Sequence, residues 1–244
     1  MSISKVIMAA LAAVTLLAGC ASMPATVEGP QDVNDPIEPF NRVMFNATLA
    51  LDKAVLRPTA LVYRRIVPEP VRNSLRNFLN NLDSPIIFTN DVLQGEFNRA
   101  GVTLLRFGAN STVGLGGVVD VAKRWGYMRH YEDFGQTLAV YGVSEGPYLF
   151  IPLLGPSNPR DAVGWTADIF FDPLTYVQWR EKFWYQTGRW AVDYTDLRAR
   201  NIETLDDLEK SSLDFYASVR SLYRQSRNNE IRNGATEVQD LPDF

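Results

Sequence analysis

Residues 71–82 read Val71-Arg72-Asn73-Ser74-Leu75-Arg76-Asn77-Phe78-Leu79-Asn80-Asn81-Leu82. Val71, Leu75, Phe78 and Leu82 recur at steps of four and three, which lines up one apolar stripe on a helix of about 3.6 residues per turn. Asn73, Asn77 and Asn80 fall on the opposite face. Pro68 and Pro70 stand at the start, where a missing backbone N–H costs little. The stretch is predicted as an amphipathic helix, and its neighbours are of the same kind. Ser84-Pro85 opens a second helix, with Ser84 as N-cap and Pro85 at its first position, and Gly95 ends it. Leu205, Leu208, Phe215, Val219 and Leu222 predict one long amphipathic helix near the C-terminus. The fold class expected is all-α with little or no sheet, and core packing is the plain account of each stripe.

The middle of the chain is different. Val102 to Ala122 is apolar but interrupted by Gly108, Gly114, Gly116 and Gly117, three of those glycines within four positions. Such a run bends or hinges a helix rather than continuing it. Pro147 to Leu154 is an eight-residue apolar run bounded by Gly146 and Gly155, open to reading as a buried strand or as a loop pressed into lipid. Residues 162–190 hold Trp165, Phe170, Phe171, Tyr176, Trp179, Phe183, Trp184, Tyr185 and Trp190, and so four of the five tryptophans. An aromatic-rich core is one reading. The other is a membrane–water interface, which suits side chains with one apolar and one wet end.

The N-terminus favours the membrane. Lys5 precedes thirteen apolar or small residues, Val6 to Ala18, and then Gly19-Cys20. A positive flank, a short apolar core and a small-residue cleavage site describe a signal peptide, and the core falls short of the roughly 20 residues a spanning helix needs. Leu17-Ala18-Gly19-Cys20 resembles the lipobox of bacterial lipoproteins, in which the cysteine receives diacylglyceryl and N-acyl lipid. Cys20 is the sole cysteine, so no internal disulfide is expected, and lipidation accounts for an otherwise free thiol in an exported chain. With about 0.8 kcal/mol from each buried methylene, the three acyl chains implied make a firm anchor. Ala21, where an aspartate would signal inner-membrane retention, implies the outer membrane. The expected organisation is a signal peptide over 1–19, a lipidated N-terminus and tether over 20–34, a helical domain over 35–233 and a flexible acidic tail over 234–244.

Cleavage would leave 225 of the 244 residues and, with Lys5 gone, move the formal charge from −4 to −5. Mild acidity argues against a nucleic-acid partner. Seven basic residues, Arg42, Lys53, Arg57, Arg64, Arg65, Arg72 and Arg76, lie between Glu38 and Asn80 against three acidic ones. They are candidates for phosphate headgroups or for an ordinary solvated face. Residues 193–210 are acidic in return.

No active site emerges. Gly142-Val143-Ser144-Glu145-Gly146 fits the nucleophile-elbow pattern G-x-S-x-G, which requires a histidine later in the chain. The only histidine is His130, which precedes Ser144 and reads as a surface residue beside Arg129 and Glu132. No His/Cys cluster has metal-ligand spacing, so no metal is expected. Gly114-Leu115-Gly116-Gly117 is too generic for a dinucleotide fingerprint.

Several motifs in order resemble one family, the MlaA/VacJ phospholipid-transport lipoproteins. They are Asn34-Asp35-Pro36-Ile37-Glu38-Pro39-Phe40-Asn41-Arg42, Arg57-Pro58, Asn80-Asn81-Leu82, Leu93-Gln94-Gly95, Asn110 to Ala122, and Asp133 to Leu138 followed by Tyr141-Gly142-Val143 and Gly146-Pro147-Tyr148. The resemblance covers roughly 34–235. It implies a helical ring with a helical hairpin, lying in the inner leaflet of the outer membrane and facing the periplasm, with an amphipathic channel. Such a ring removes phospholipid from the outer leaflet, maintains lipid asymmetry, and works beside a trimeric porin and a soluble periplasmic lipid carrier. It further implies no catalytic residues and no cofactor beyond the lipid on Cys20. Arg160 and Asp161 are then channel-lining candidates, and Gly114, Gly116, Gly117 and Gly142 hinge or gate candidates. Ser144 departs from the family, which often has glycine there. A lipid hydrolase using Ser144 and a structural porin-binding lipoprotein are the competing expectations.

Overall fold

The computed structural model describes residues 34–233; Cys20, the signal peptide, most of the tether and the acidic tail lie outside them. Residues 69–82 are helical as expected, but the predicted faces are not cleanly sorted: Leu75, Phe78 and Leu82 of the stripe are half-buried and Asn73 is exposed. Val71 of the apolar stripe is 53% exposed, whereas Leu79 and Asn81 are buried. Burial of polar residues is general. Among the described residues, 19 polar or charged residues are buried against 11 hydrophobic ones. Phe97, Val113, Leu115, Phe183 and Trp184 meanwhile stand exposed. A domain surrounded by water sorts its residues the other way, and exposed apolar surface on this scale marks contact with lipid or protein. No helix among the described residues is long and apolar enough to cross a membrane.

The elements follow in order: α1 (Glu38–Leu51), a π-helical turn (Asp52–Leu56), α2 (Arg57–Ile66), α3 (Glu69–Leu82), α4 (Ser84–Leu93), α5 (Phe97–Thr112), the single turn α6 (Val121–Arg124), α7 (Phe134–Val140), β1 (Leu149–Ile151), β2 (Gly155–Ser157), α8 (Pro159–Phe171), α9 (Lys182–Arg200), α10 (Ile202–Ser211) and α11 (Phe215–Ile231). The π-turn has a local cause. Pro58 lacks the N–H that would bond Ala54 and crowds that carbonyl, and a widened turn before it relieves both.

Packing joins these elements into a closed circuit. It runs from α1 through α2 to α9, then α3, α4, α8, α7 and α11, and returns through the β-hairpin to α1. The motif at 34–42 makes the closure. Asp35 is buried, accepting from Asn41 Nδ2 at 2.8 Å, Tyr216 Oη at 2.5 Å and Arg220 Nη1 at 2.5 Å. Asn41 donates to the Tyr148 carbonyl and accepts from the Phe150 N–H, and Arg42 forks onto Asp214. Phe45 packs edge-on against Phe150, Phe215 and Tyr216. The helical ring implied by the family resemblance thus has a physical basis in contacts between residues more than 100 positions apart.

Two local expectations are corrected. Ser84 does not cap α4; its hydroxyl lies 3.5 Å from the Asn80 carbonyl, and the helical residue Asp83 joins α3 to α4 almost without a break. The predicted C-terminal helix is two, broken at 212–214, where Asp214 caps α11 by accepting from the Ala217 N–H at 3.1 Å. Of the seven basic residues of the first third, four besides Arg42 pair across the fold, Lys53 with Glu209, Arg57 with Asp206, Arg64 with Glu203 and Arg76 with Asp196, the first and third of these at the exposed surface. They therefore join α2, α3 and the π-turn to α9 and α10. The run 147–154 resolves as β1 and its turn, with Leu149 paired to Ser157 and Ile151 to Gly155.

Candidate functional site

Asn158 begins the site. Its side chain caps α8 by accepting from the Asp161 N–H at 2.8 Å, with Pro159 at the first helical position. This places Asp161 in the first turn, where the helix dipole favours a carboxylate. Asp161 Oδ2 accepts from Tyr223 Oη at 2.6 Å and Arg227 Nε at 2.8 Å, and Oδ1 accepts from Arg160 Nε at 3.0 Å. Burial alone raises such a carboxyl's pKa, but Arg227, Tyr223 and Arg160 outweigh it and hold Asp161 below its ordinary value.

Arg227 organises the rest. Its Nη1 and Nη2 donate to both oxygens of Asp133 at 2.7 and 2.6 Å, and Nη1 also reaches Glu230 at 3.1 Å. Asp133 in turn caps α7 through the Gln136 N–H. On α8, Asp168 accepts from Asn90 Nδ2 at 2.9 Å and from the Phe134 N–H at 3.2 Å. Where α7 and α8 cross, glycine faces glycine: a Cβ on Gly164 would sit 2.2 Å from the Gly135 nitrogen. Beside this crossing opens a cavity of about 320 Å³, walled by Asp161, Asp168, Arg227 and Glu230 and by Leu154 and Trp165.

Burial pushes the Asp168 carboxyl up to about 6, with the Asn90 amide and Phe134 N–H opposing it only partly. Between the unfolded value near 3.8 and about 6, the folded protein holds the extra proton. The contribution of Asp168 to stability is therefore full below that window, falls as pH rises through it and is lost above it. Asp168→Asn should abolish this slope and be at least as stable as wild type at pH 7.5. Denaturant unfolding in detergent across pH 4–7.5 checks this; parallel curves for the two proteins would refute it.

Of the predicted site residues, Asp161 lines the cavity. Arg160 braces Asp161 from outside the lining, with its own Nη2 buried and lacking a partner. The glycines have local duties. Gly142, at φ +83°, closes α7: its N–H bonds the Ala139 carbonyl while the Val143 N–H bonds Leu138, a left-handed helix stop that favours glycine. Gly117 is pressed against Asn81, and Gly114 against the Val119 and Asn110 carbonyls, each with no room for a Cβ, whereas Gly116 is open. Asn77, Asn80 and Asn81 line a second, narrow cleft with Arg106, Asn110 and Arg129.

His130 is not the surface residue expected. Its Nε2 lies 2.9 and 3.0 Å from the Asp91 oxygens and 3.3 Å from Thr103 Oγ1. The fold also gathers Asp91, His130 and Glu132 into a group with ligand atoms within 4.8 Å of one another, which sequence spacing had concealed. Arg99 and Gln94 already donate to the two Glu132 oxygens, so the group is a buried ion-pair network. Ser144 is exposed on a loop that leads from helix α7 to strand β1, the reverse of the strand-to-helix elbow a hydrolase needs.

The sequence profile of the MlaA lipoprotein family matches residues 33–230. The intermembrane phospholipid transport system lipoprotein MlaA of Escherichia coli K12 is 36% identical over 232 residues, covering 93% of this chain and 89% of its own. Its namesake in Haemophilus influenzae is 32% identical over 246 residues, covering 98% and 96%. A solved structure from work on the structural basis for maintenance of bacterial outer membrane lipid asymmetry aligns with a TM-score of 0.74 at 36% identity, over 81% of this chain and 98% of that one. Closure of the circuit by the 34–42 motif, the buried polar network and these matches agree: the chain belongs to the MlaA lipoprotein family.

Proposed function

We propose that this chain is the outer-membrane lipoprotein of an intermembrane phospholipid transport system. In this reading Cys20 carries the diacylglyceryl and N-acyl lipid, and the helical domain sits in the inner leaflet of the outer membrane beside a trimeric porin. It withdraws misplaced phospholipid from the outer leaflet and passes it to a soluble periplasmic carrier, without chemical change to the lipid. The observation that carries the reading is the inverted polarity. A headgroup cannot cross hydrocarbon bare, because a desolvated charge costs at least several kcal/mol. A body apolar outside and polar within offers it a hydrated route while the acyl chains keep to apolar surface. The names of the relatives support the same reading. Asp161, braced by Arg160, is assigned to the lining of that route, and Gly114, Gly116, Gly117 and Gly142 to the hinges of the segment between them.

Deletion of the gene should raise outer-leaflet phospholipid, and wild-type or Ser144→Ala copies should reverse the rise where Cys20→Ala does not. No rise on deletion would remove transport and leave a porin scaffold. A Ser144→Ala copy without effect on the rise would return hydrolysis to consideration. Full restoration by Asp161→Ala or by Gly116→Val would sink the lining or the hinge assignment respectively.

A further inference from the structure

The cavity beside α7, α8 and α11 is unbalanced in charge: Asp133, Asp161, Asp168 and Glu230 line it against the single guanidinium of Arg227. Arg227 is already shared among Asp133, Asp161 and Glu230. Asp168 forms no ion pair among the described residues; its oxygens accept only from the Asn90 amide and the Phe134 N–H. Even with Arg160 counted at the back of Asp161, carboxylates are in excess, and in a partly dry wall such an excess attracts a cation more strongly than water would allow.

The remaining lining says what kind of cation. Asp161, Trp165 and Asp168 are spaced i, i+4 and i+7 on α8, so one helix face presents an indole with a carboxylate a turn to either side. Trp165 is 55% exposed, leaving its ring open to an ammonium group. Leu154 and Ile151 add apolar lining. A volume of about 320 Å³ lies at the low end of the roughly 300–1,000 Å³ of small-molecule sites. That is room for a headgroup and glycerol, with the acyl chains left to the apolar exterior.

We propose that this cavity selects phospholipids by headgroup, admitting a zwitterionic headgroup that ends in an ammonium and disfavouring one of net negative charge. The proposal rests on the transport reading above and adds the substrate class. An ammonium meets the carboxylate surplus and the Trp165 face together, whereas an anionic headgroup meets like charge.

The test equilibrates the purified full-length protein in detergent micelles with equal amounts of phosphatidylethanolamine and phosphatidylglycerol, and quantifies the lipid retained after repurification. Wild type should retain the ethanolamine lipid in about five-fold excess. Glu230→Gln with Asp168→Asn should bring the ratio near parity, and Trp165→Leu, which changes no charge, should lower it. Glu230→Lys should tip it toward the glycerol lipid. Circular dichroism establishes that each variant is folded. Retention of both lipids in the micelle ratio by wild type, or a ratio unmoved by the variants, overturns headgroup selection and leaves transport standing. Retention of neither lipid overturns both.

Discussion

Replacing Arg227 with methionine is expected to cost about 3–5 kcal/mol of stability, the range for breaking a buried ion pair from one side. Methionine keeps most of the apolar stem, so the loss reports the guanidinium rather than a cavity. Arg227 is 7% exposed, and burial alone would weaken its charged form; Asp133 and Asp161 more than reverse that and raise its pKa. Without it, Asp133 loses two short hydrogen bonds and Asp161 one. Asp161 keeps Tyr223 and Arg160, while Asp133 keeps only bonds within its own helix cap. Adding Asp133→Asn should therefore recover part of the loss, whereas Arg227→Lys should not, because an ammonium cannot reproduce the bidentate fork. Urea unfolding in detergent decides it. A loss below about 1 kcal/mol, the level of an exposed pair, would mean that water reaches the site freely.

What the sequence disclosed follows from what periodicity measures. The stripe Val71, Leu75, Phe78 and Leu82 gave the right period and helix, but period is silent on which face the surroundings favour. With Val71 outward and Asn81 inward, part of the exterior is apolar, and the lipobox at Cys20 and the aromatic window at 162–190 were the sequence features that hinted at it. The aromatic window behaves likewise: Trp165, Phe170, Tyr176, Phe183 and Trp184 are exposed rather than gathered into a core. One misread boundary had a readable signal. Asp214 stands directly before a helix, where an aspartate is a preferred cap, whereas only the structure shows Asp83 continuing the helical path past Leu82. The face Asp161, Trp165, Asp168 was also visible as spacing. The Arg227 that completes the site was not, because a pairing across 66 or 94 positions leaves no local trace. The same holds for Asp91 with His130, which spacing separates and the fold brings to 2.9 Å.

Gly164→Ala is expected to destabilise by about 3 kcal/mol, the upper end of overpacking, although alanine is the better helix former by about 1 kcal/mol. The new Cβ would lie 2.2 Å from the Gly135 nitrogen and 2.6 Å from its Cα. Both are backbone atoms, so no rotamer change relieves the clash, and α7 must move away from α8. That movement pulls the Phe134 N–H from Asp168 and displaces Asp133 from the fork of Arg227, so the penalty extends to the ion-pair network. Gly188, inside α9, supplies the contrast: a Cβ there meets nothing within 4 Å. Gly188→Ala should stabilise by roughly 0.5–1 kcal/mol through backbone entropy alone. The same substitution in two helices thus carries opposite signs, and the pair can be measured by thermal or denaturant unfolding in one detergent. If Gly164→Ala matched Gly188→Ala, α7 and α8 would not be in contact at that crossing, and the cavity built on it would lose its floor.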